Sequence, residues 1–137
     1  MTSNLLHMPN LLMRLLISLL VSLSFSTGQM AFAEEKPHAP ESIENVTILT
    51  AEQVIEKILA DPELIVIDSR KKTEYLKGHI EGAINILNTK LKQEDLERIV
   101  PDKDREILFY CNGTRCMRST DSIRKAKSWG YTNLIWF

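Results

Sequence analysis

Residues 106 to 118 read Glu106-Ile107-Leu108-Phe109-Tyr110-Cys111-Asn112-Gly113-Thr114-Arg115-Cys116-Met117-Arg118. Ile107 to Tyr110 is an unbroken apolar run of strand length, with none of the polar alternation that a half-exposed strand shows. Such runs belong to strands buried on both faces of a parallel sheet. Leu64-Ile65-Val66-Ile67 repeats the pattern and leaves Asp68 at its carboxyl end, and Ala83 to Leu87 is a shorter strand candidate. The segments between them carry helical spacing. Thr50-Ala51-Glu52-Gln53 is spaced as a capping box. Val54, Ile55, Ile58 and Leu59 then recur on one predicted helical face until Asp61-Pro62 stops it. Leu91 to Val100 predicts a second helix with Leu96, Ile99 and Val100 inward. Ser119 to Trp129 predicts a third, capped by Gly130, and Asn133 to Phe137 a closing strand. Alternating short strands and helices predict an α/β fold with a mainly parallel sheet flanked by helices, whose ligand crevice lies beyond the carboxyl ends of the strands.

Outside this region the chain changes character twice. Leu11 to Phe25 is apolar except for Arg14 and a few serines. The uninterrupted part, Leu15 to Phe25, is shorter than the roughly 20 residues a bilayer span requires. Ala31-Phe32-Ala33 supplies the A-x-A pattern of signal peptidase, so residues 1–33 read as a signal peptide cleaved after Ala33, with an uncleaved anchor as the alternative. Either way the domain is expected to be exported, to a bacterial periplasm, and after cleavage to have no stable association with the membrane. Residues 34–45, with Pro37 and Pro40 and no apolar periodicity, read as a linker, and the folded domain is expected over 46–137. The mature chain of 104 residues would hold 16 basic and 18 acidic side chains, a net charge of −2. No basic field attracts nucleic acid, and electrostatics select no macromolecular partner.

The chemistry concentrates at Cys111. A cysteine directly after a buried strand, ahead of a loop and a helix, sits where successive backbone N–H groups and a helix dipole converge. Asn112, Gly113, Thr114, Arg115, Cys116, Met117 and Arg118 form that loop, and Arg115 and Arg118 add positive charge. The arrangement predicts an anion cradle, an acidified Cys111 and a substrate that is an oxyanion. A buried small hydrophobe at a strand end is the bland alternative for Cys111. Two cysteines and scattered histidines fall short of a zinc ligand set, so no metal is expected, and no cofactor is needed.

Several motifs in order now resemble a known family. Asp68-Ser69-Arg70, Glu74-Tyr75 and Gly78-His79-Ile80-Glu81-Gly82-Ala83-Ile84-Asn85-Ile86 are similar to the signature of rhodanese-like domains, as are a cysteine loop ahead of Arg118-Ser119 and the segment Trp129-Gly130-Tyr131. The resemblance covers nearly all of Val46 to Phe137. It implies a five-stranded parallel sheet flanked by helices, with Cys111 as the catalytic cysteine that carries a persulfide. The implied activity is transfer of sulfane sulfur from a small sulfur-containing anion such as thiosulfate to a thiol or other thiophilic acceptor. Gly78 to Ile86 itself reads as structural, with glycines in turns and Ile80, Ile84 and Ile86 as core candidates. His79 reads as a turn or cap residue rather than a base. Asp68, Arg70 and Glu74 resemble the family's ion-pair network, with Asp68 the only one expected near the crevice.

Two departures qualify the resemblance. Arg118 follows Cys111 by seven residues where the commonest family loop has five, giving a C-x4-C-x-R-S pattern with a second cysteine. The family's final helix is also missing after Trp136-Phe137, so Ile135 and Phe137 are expected to lie uncovered. Alternatives to sulfur transfer are a thiol–disulfide protein with Cys116 as redox partner of Cys111, and a noncatalytic rhodanese-like binding module. A phosphatase ranks below these, because the arginine spacing does not match and no general acid is evident.

Overall fold

The computed structural model describes residues 38–113 and 115–137; the signal-peptide reading falls on residues outside this range. Five strands, β1 (Val46–Ile48), β2 (Ile65–Asp68), β3 (Ile84–Asn85), β4 (Ile107–Tyr110) and β5 (Leu134–Trp136), form one sheet in the order β1-β5-β4-β2-β3. Every pairing is parallel, so the sheet is wholly rather than mainly parallel. The helices are α1 (Ala51–Ala60), α2 (Lys72–Tyr75), α3 (Gln93–Ile99) and α4 (Arg118–Ser128), with a 3-10 turn at Asn88–Lys90. The short α2 and β1 carry too few apolar residues to announce themselves in the sequence.

Alternate residues of the central strands supply two cores, as a pleated strand requires. Ile107 and Phe109 of β4, Ile67 of β2 and Leu134 and Trp136 of β5 face α3 and α4, packing with Leu96, Ile123 and Ala126. Leu108, Tyr110, Val66 and Ile135 face the other way and pack with Val54 of α1. Ile135 is therefore buried, at 2% exposure, contrary to the expectation that it would lie open. Phe137 is 39% exposed. On α1 only Val54 is buried; Ile55 and Leu59, expected inward, are 60% and 75% exposed. The four apolar positions span more of the helix circumference than the sheet covers, so part of the stripe stays outside.

Local signals in the sequence act as physical chemistry dictates. Thr50 Oγ1 accepts from Gln53 N, and Thr50 N donates to Gln53 Oε1 over 2.9 Å, closing the box on α1. At the end of α4, Gly130 takes φ 90°, where a side chain would be strained. Tyr131 N then donates to Ala126 O and Gly130 N to Lys127 O, satisfying the last carbonyls of the helix. The segment read as a linker packs in part onto the domain: Ala39 is buried against the α3 and α4 side of the sheet, and Ile43 packs beside it.

Candidate active site

In-register pairing places Asp68, Asn85 and Tyr110 side by side at the carboxyl edge of the sheet, and Cys111 is the next residue on the central strand. Beneath it lies a buried polar cluster. Arg70 grips Asp68 through Nε and Nη2 at 2.6 to 3.0 Å, and Tyr110 Oη donates to Asp68 Oδ2 over 2.7 Å. Ile80 N in turn donates to Tyr110 Oη, which ties the Gly78 to Ile86 segment to β4. Burial alone would raise the Asp68 pKa. The Arg70 and Tyr110 hydrogen bonds outweigh it and hold the carboxyl below its ordinary range. Burial, then the bond to Asp68, pushes Tyr110 up to about 12. Asp68 is fully buried and spends its oxygens on this cluster, so it does not face the crevice as expected.

Glu74 reaches the loop instead. Its carboxylate accepts from Asn112 Nδ2, from Arg118 Nη1 over 3.0 Å and from Lys71 N over 3.0 Å. The Asn112 amide, then the Lys71 N–H, hold it in the ionised form. Arg118 is thus committed to Glu74 in this conformation. Arg115 is exposed and makes no ion pair among the described residues. Thr114 lies outside the described residues. Gly113 has φ 99°, the left-handed turn that lets Cys116 N bond Gly113 O over 2.9 Å. Met117 is the residue before α4 and is partly exposed; its carbonyl accepts from Thr120 Oγ1 and from Asp121 N. His79 stacks on Tyr75 and sets Nδ1 2.9 Å from the Tyr75 carbonyl at the end of α2, the contact of a cap rather than a turn residue.

The cysteines depart from expectation. Cys111 Sγ lies 3.2 Å from Cys116 O, to which it donates, and 3.0 Å from Ser119 Oγ. A carbonyl aimed at a sulfur favours the protonated thiol. Burial pushes the Cys111 thiol up and the Cys116 side chain adds to it, against lowering contacts from Ser119. The expected acidification of Cys111 is therefore reversed. At Cys116 burial acts in the same direction but is overcome by the Asn112 N–H, the Cys111 side chain and Arg118, so its thiol is lowered. The surroundings therefore favour the thiolate at the second sulfur more than at the first. The two cysteines are not joined in a disulfide, and both are partly exposed.

Ser119 is the site residue that sequence reasoning left without a role. It is fully buried at the start of α4, and its Oγ accepts the indole N–H of Trp136 over 3.0 Å. An indole only donates, so the Ser119 proton is free to point at Cys111 Sγ. The serine after Arg118 and a tryptophan in the last strand were the available signals.

The Rhodanese-like domain family model matches residues 50–137. An HTH-type transcriptional regulator of Mycobacterium tuberculosis is 38% identical over 68 residues, half of this chain and 29% of the regulator. An uncharacterized Saccharomyces cerevisiae protein of known structure is 25% identical, with a TM-score of 0.56 over 68% of this chain and 85% of that one. A single-domain sulfurtransferase of the same yeast shares the fold at 21% identity, with a TM-score of 0.54 over 72% of this chain and 85% of that one. The chain spans about a quarter to a half of the length of the curated relatives it matches.

Proposed function

The chain belongs to the rhodanese-like domain family, and from that premise we propose that it is a sulfurtransferase carrying sulfane sulfur on Cys111. The observation that supports this most is the placement of Cys111. Its sulfur stands at the carboxyl end of the central strand with the Ser119 hydroxyl 3.0 Å away, a donor that favours a thiolate over a thiol once the proton has left. The thiolate attacks the outer sulfur of a thiosulfate-like donor. The sulfur–sulfur bond breaks, sulfite departs with its electron pair, and the Cys111 persulfide anion remains. Backbone N–H groups of the loop and Arg115 or Arg118 offset the charge of donor and leaving group. A nucleophilic acceptor then takes the outer sulfur and returns the Cys111 thiolate.

The proposal also places the protein outside the inner membrane, after removal of Met1 to Ala33; intact mass of the exported protein starting at Glu34 is the check. For the reaction, the test is intact mass of the purified domain after thiosulfate treatment, with and without prior reduction. Gain of one sulfur on the reduced protein supports transfer, and its absence defeats it. A second reading, thiol–disulfide chemistry, is favoured by the contact of Cys111 Sγ with the Cys116 backbone and by the opposed pKa shifts of the two thiols. Loss of two hydrogens on mild oxidation, with no sulfur gained from thiosulfate, would select it.

A further inference from the structure

The loop after Cys111 folds back on itself. Gly113, at φ 99°, lets Cys116 N donate to Gly113 O over 2.9 Å, and this turn brings the second cysteine against the first. Cys111 Sγ lies 3.2 Å from the Cys116 carbonyl oxygen, and the two thiols are also hydrogen-bonded to each other. No other thiol competes, because the sequence holds two cysteines and both are free. The transfer of sulfur to an outside acceptor leaves the Cys116 thiol without a task.

A persulfide on Cys111 offers an incoming thiolate two sulfurs. Attack on the outer one carries that sulfur away and expels the Cys111 thiolate, whereas attack on the inner one expels the outer sulfur as hydrosulfide. The thiol of lower pKa leaves faster. Burial holds the Cys111 thiol above its ordinary value, while hydrogen sulfide is a stronger acid than an ordinary thiol, so hydrosulfide is the better leaving group. Position acts in the same direction. Cys116 touches the inner atom, Cys111 Sγ itself, and its own thiol is lowered, which supplies the thiolate.

We infer that Cys116 is the resolving thiol of this site: when no outside acceptor is present it opens the Cys111 persulfide from within, releasing hydrosulfide and leaving a disulfide between Cys111 and Cys116. The Cys116 thiolate forms a bond to Cys111 Sγ as the bond from Sγ to the outer sulfur breaks. That outer sulfur leaves with the electron pair and with one proton taken from solvent. The sulfane sulfur is thereby reduced to sulfide, and the two cysteines are oxidised. A dithiol then reduces the disulfide by exchange, becoming a disulfide itself and restoring both thiols. One round converts thiosulfate and a dithiol into sulfite, hydrosulfide and a disulfide. The inference rests on the sulfurtransferase reading for the source of the sulfur and not for the attack by Cys116.

Reduced, desalted protein is mixed with thiosulfate in the absence of any other thiol, and acid-quenched samples are followed by intact mass and by a colorimetric sulfide assay. The parent protein should gain one sulfur transiently, release it as sulfide and end two hydrogens lighter, with peptide mapping joining Cys111 to Cys116. Cys116→Ser, and parent protein alkylated at Cys116 alone, should hold the added sulfur and release sulfide more than about tenfold more slowly. A parent protein that keeps its sulfur, or release at the same rate without the Cys116 thiol, overturns the inference. If none of the three gains sulfur or forms sulfite, the sulfurtransferase reading fails by itself. Inorganic polysulfide then supplies the sulfur, and the same comparison decides. A disulfide in the parent protein beside retained sulfur in Cys116→Ser upholds resolution by Cys116, and the absence of that disulfide overturns it.

Discussion

Trp136 donates its indole N–H to Ser119 Oγ over 3.0 Å, and Ser119 stands 3.0 Å from Cys111 Sγ, so the last strand is joined to the reactive sulfur through one hydroxyl. Ser119→Ala removes that hydroxyl and leaves a buried indole N–H without a partner, at about 1–3 kcal/mol of stability. It also removes a donor to the thiolate. The pH at which iodoacetamide modifies Cys111 should move up in this variant and stay near its original value in Trp136→Phe, where the serine remains. Peptide mapping of the alkylated protein across a pH series checks both.

The two thiols should separate by pH. Cys116, lowered by its surroundings, is expected to be alkylated before Cys111 near neutral pH. Loading of sulfur on Cys111, whose thiol is raised above the ordinary 9.0, should still be increasing at that pH. Cys111→Ser should abolish loading from thiosulfate. Cys116→Ser should keep loading after reduction and lose oxidative inactivation. A loading profile that levels off below neutral pH, or loading that survives Cys111→Ser, would show that Cys116 is the nucleophile.

The Asp68 cluster should set stability at both ends of the pH range. Asp68 is held below its ordinary value of 3.8, so its contribution is present above that value and disappears as pH falls through the lower folded one. Tyr110 is the opposite case. Its folded pKa of about 12 exceeds the ordinary 10.0, so its contribution is whole below 10 and is lost as pH rises toward 12. Tyr110→Phe should cost about 1–3 kcal/mol at neutral pH, because Asp68 loses a donor and Ile80 N an acceptor, and should flatten the alkaline loss. Urea unfolding across the pH range measures both effects.

Glu74→Gln keeps an amide oxygen for Asn112 and removes the charge that occupies Arg118. The pair is about 30% exposed, so stability should change by less than about 1 kcal/mol. Arg118, freed, should lower the KM for thiosulfate by about two- to fivefold. An unchanged KM would mean that Arg118 does not meet the donor.

The strands were legible because burial on both faces leaves an apolar run that no helix of that length would need, as in Ile107 to Tyr110. Thr50 with Gln53 and Gly130 were legible because capping acts over three or four residues. The loop was legible in its residues and not in its electrostatics. Whether backbone N–H or C=O groups face a sulfur depends on turn geometry around Gly113, and the sequence names the glycine without stating which way the Cys116 carbonyl points. Glu74 lies 44 residues from its partner Arg118, so only the folded chain shows the pair. Ile55 and Leu59 misled because helical periodicity defines a stripe and not how wide a neighbour covers it.

The strand order has a consequence for how the protein comes into being. Among the described residues β5 lies between β1 and β4 and is the one strand that pairs with β1. A chain emerging amino end first from a ribosome therefore holds β1 without that neighbour until β5 has appeared. Backbone pairing on that side of β4 waits for the same strand, so the sheet cannot be completed until β5 has been made.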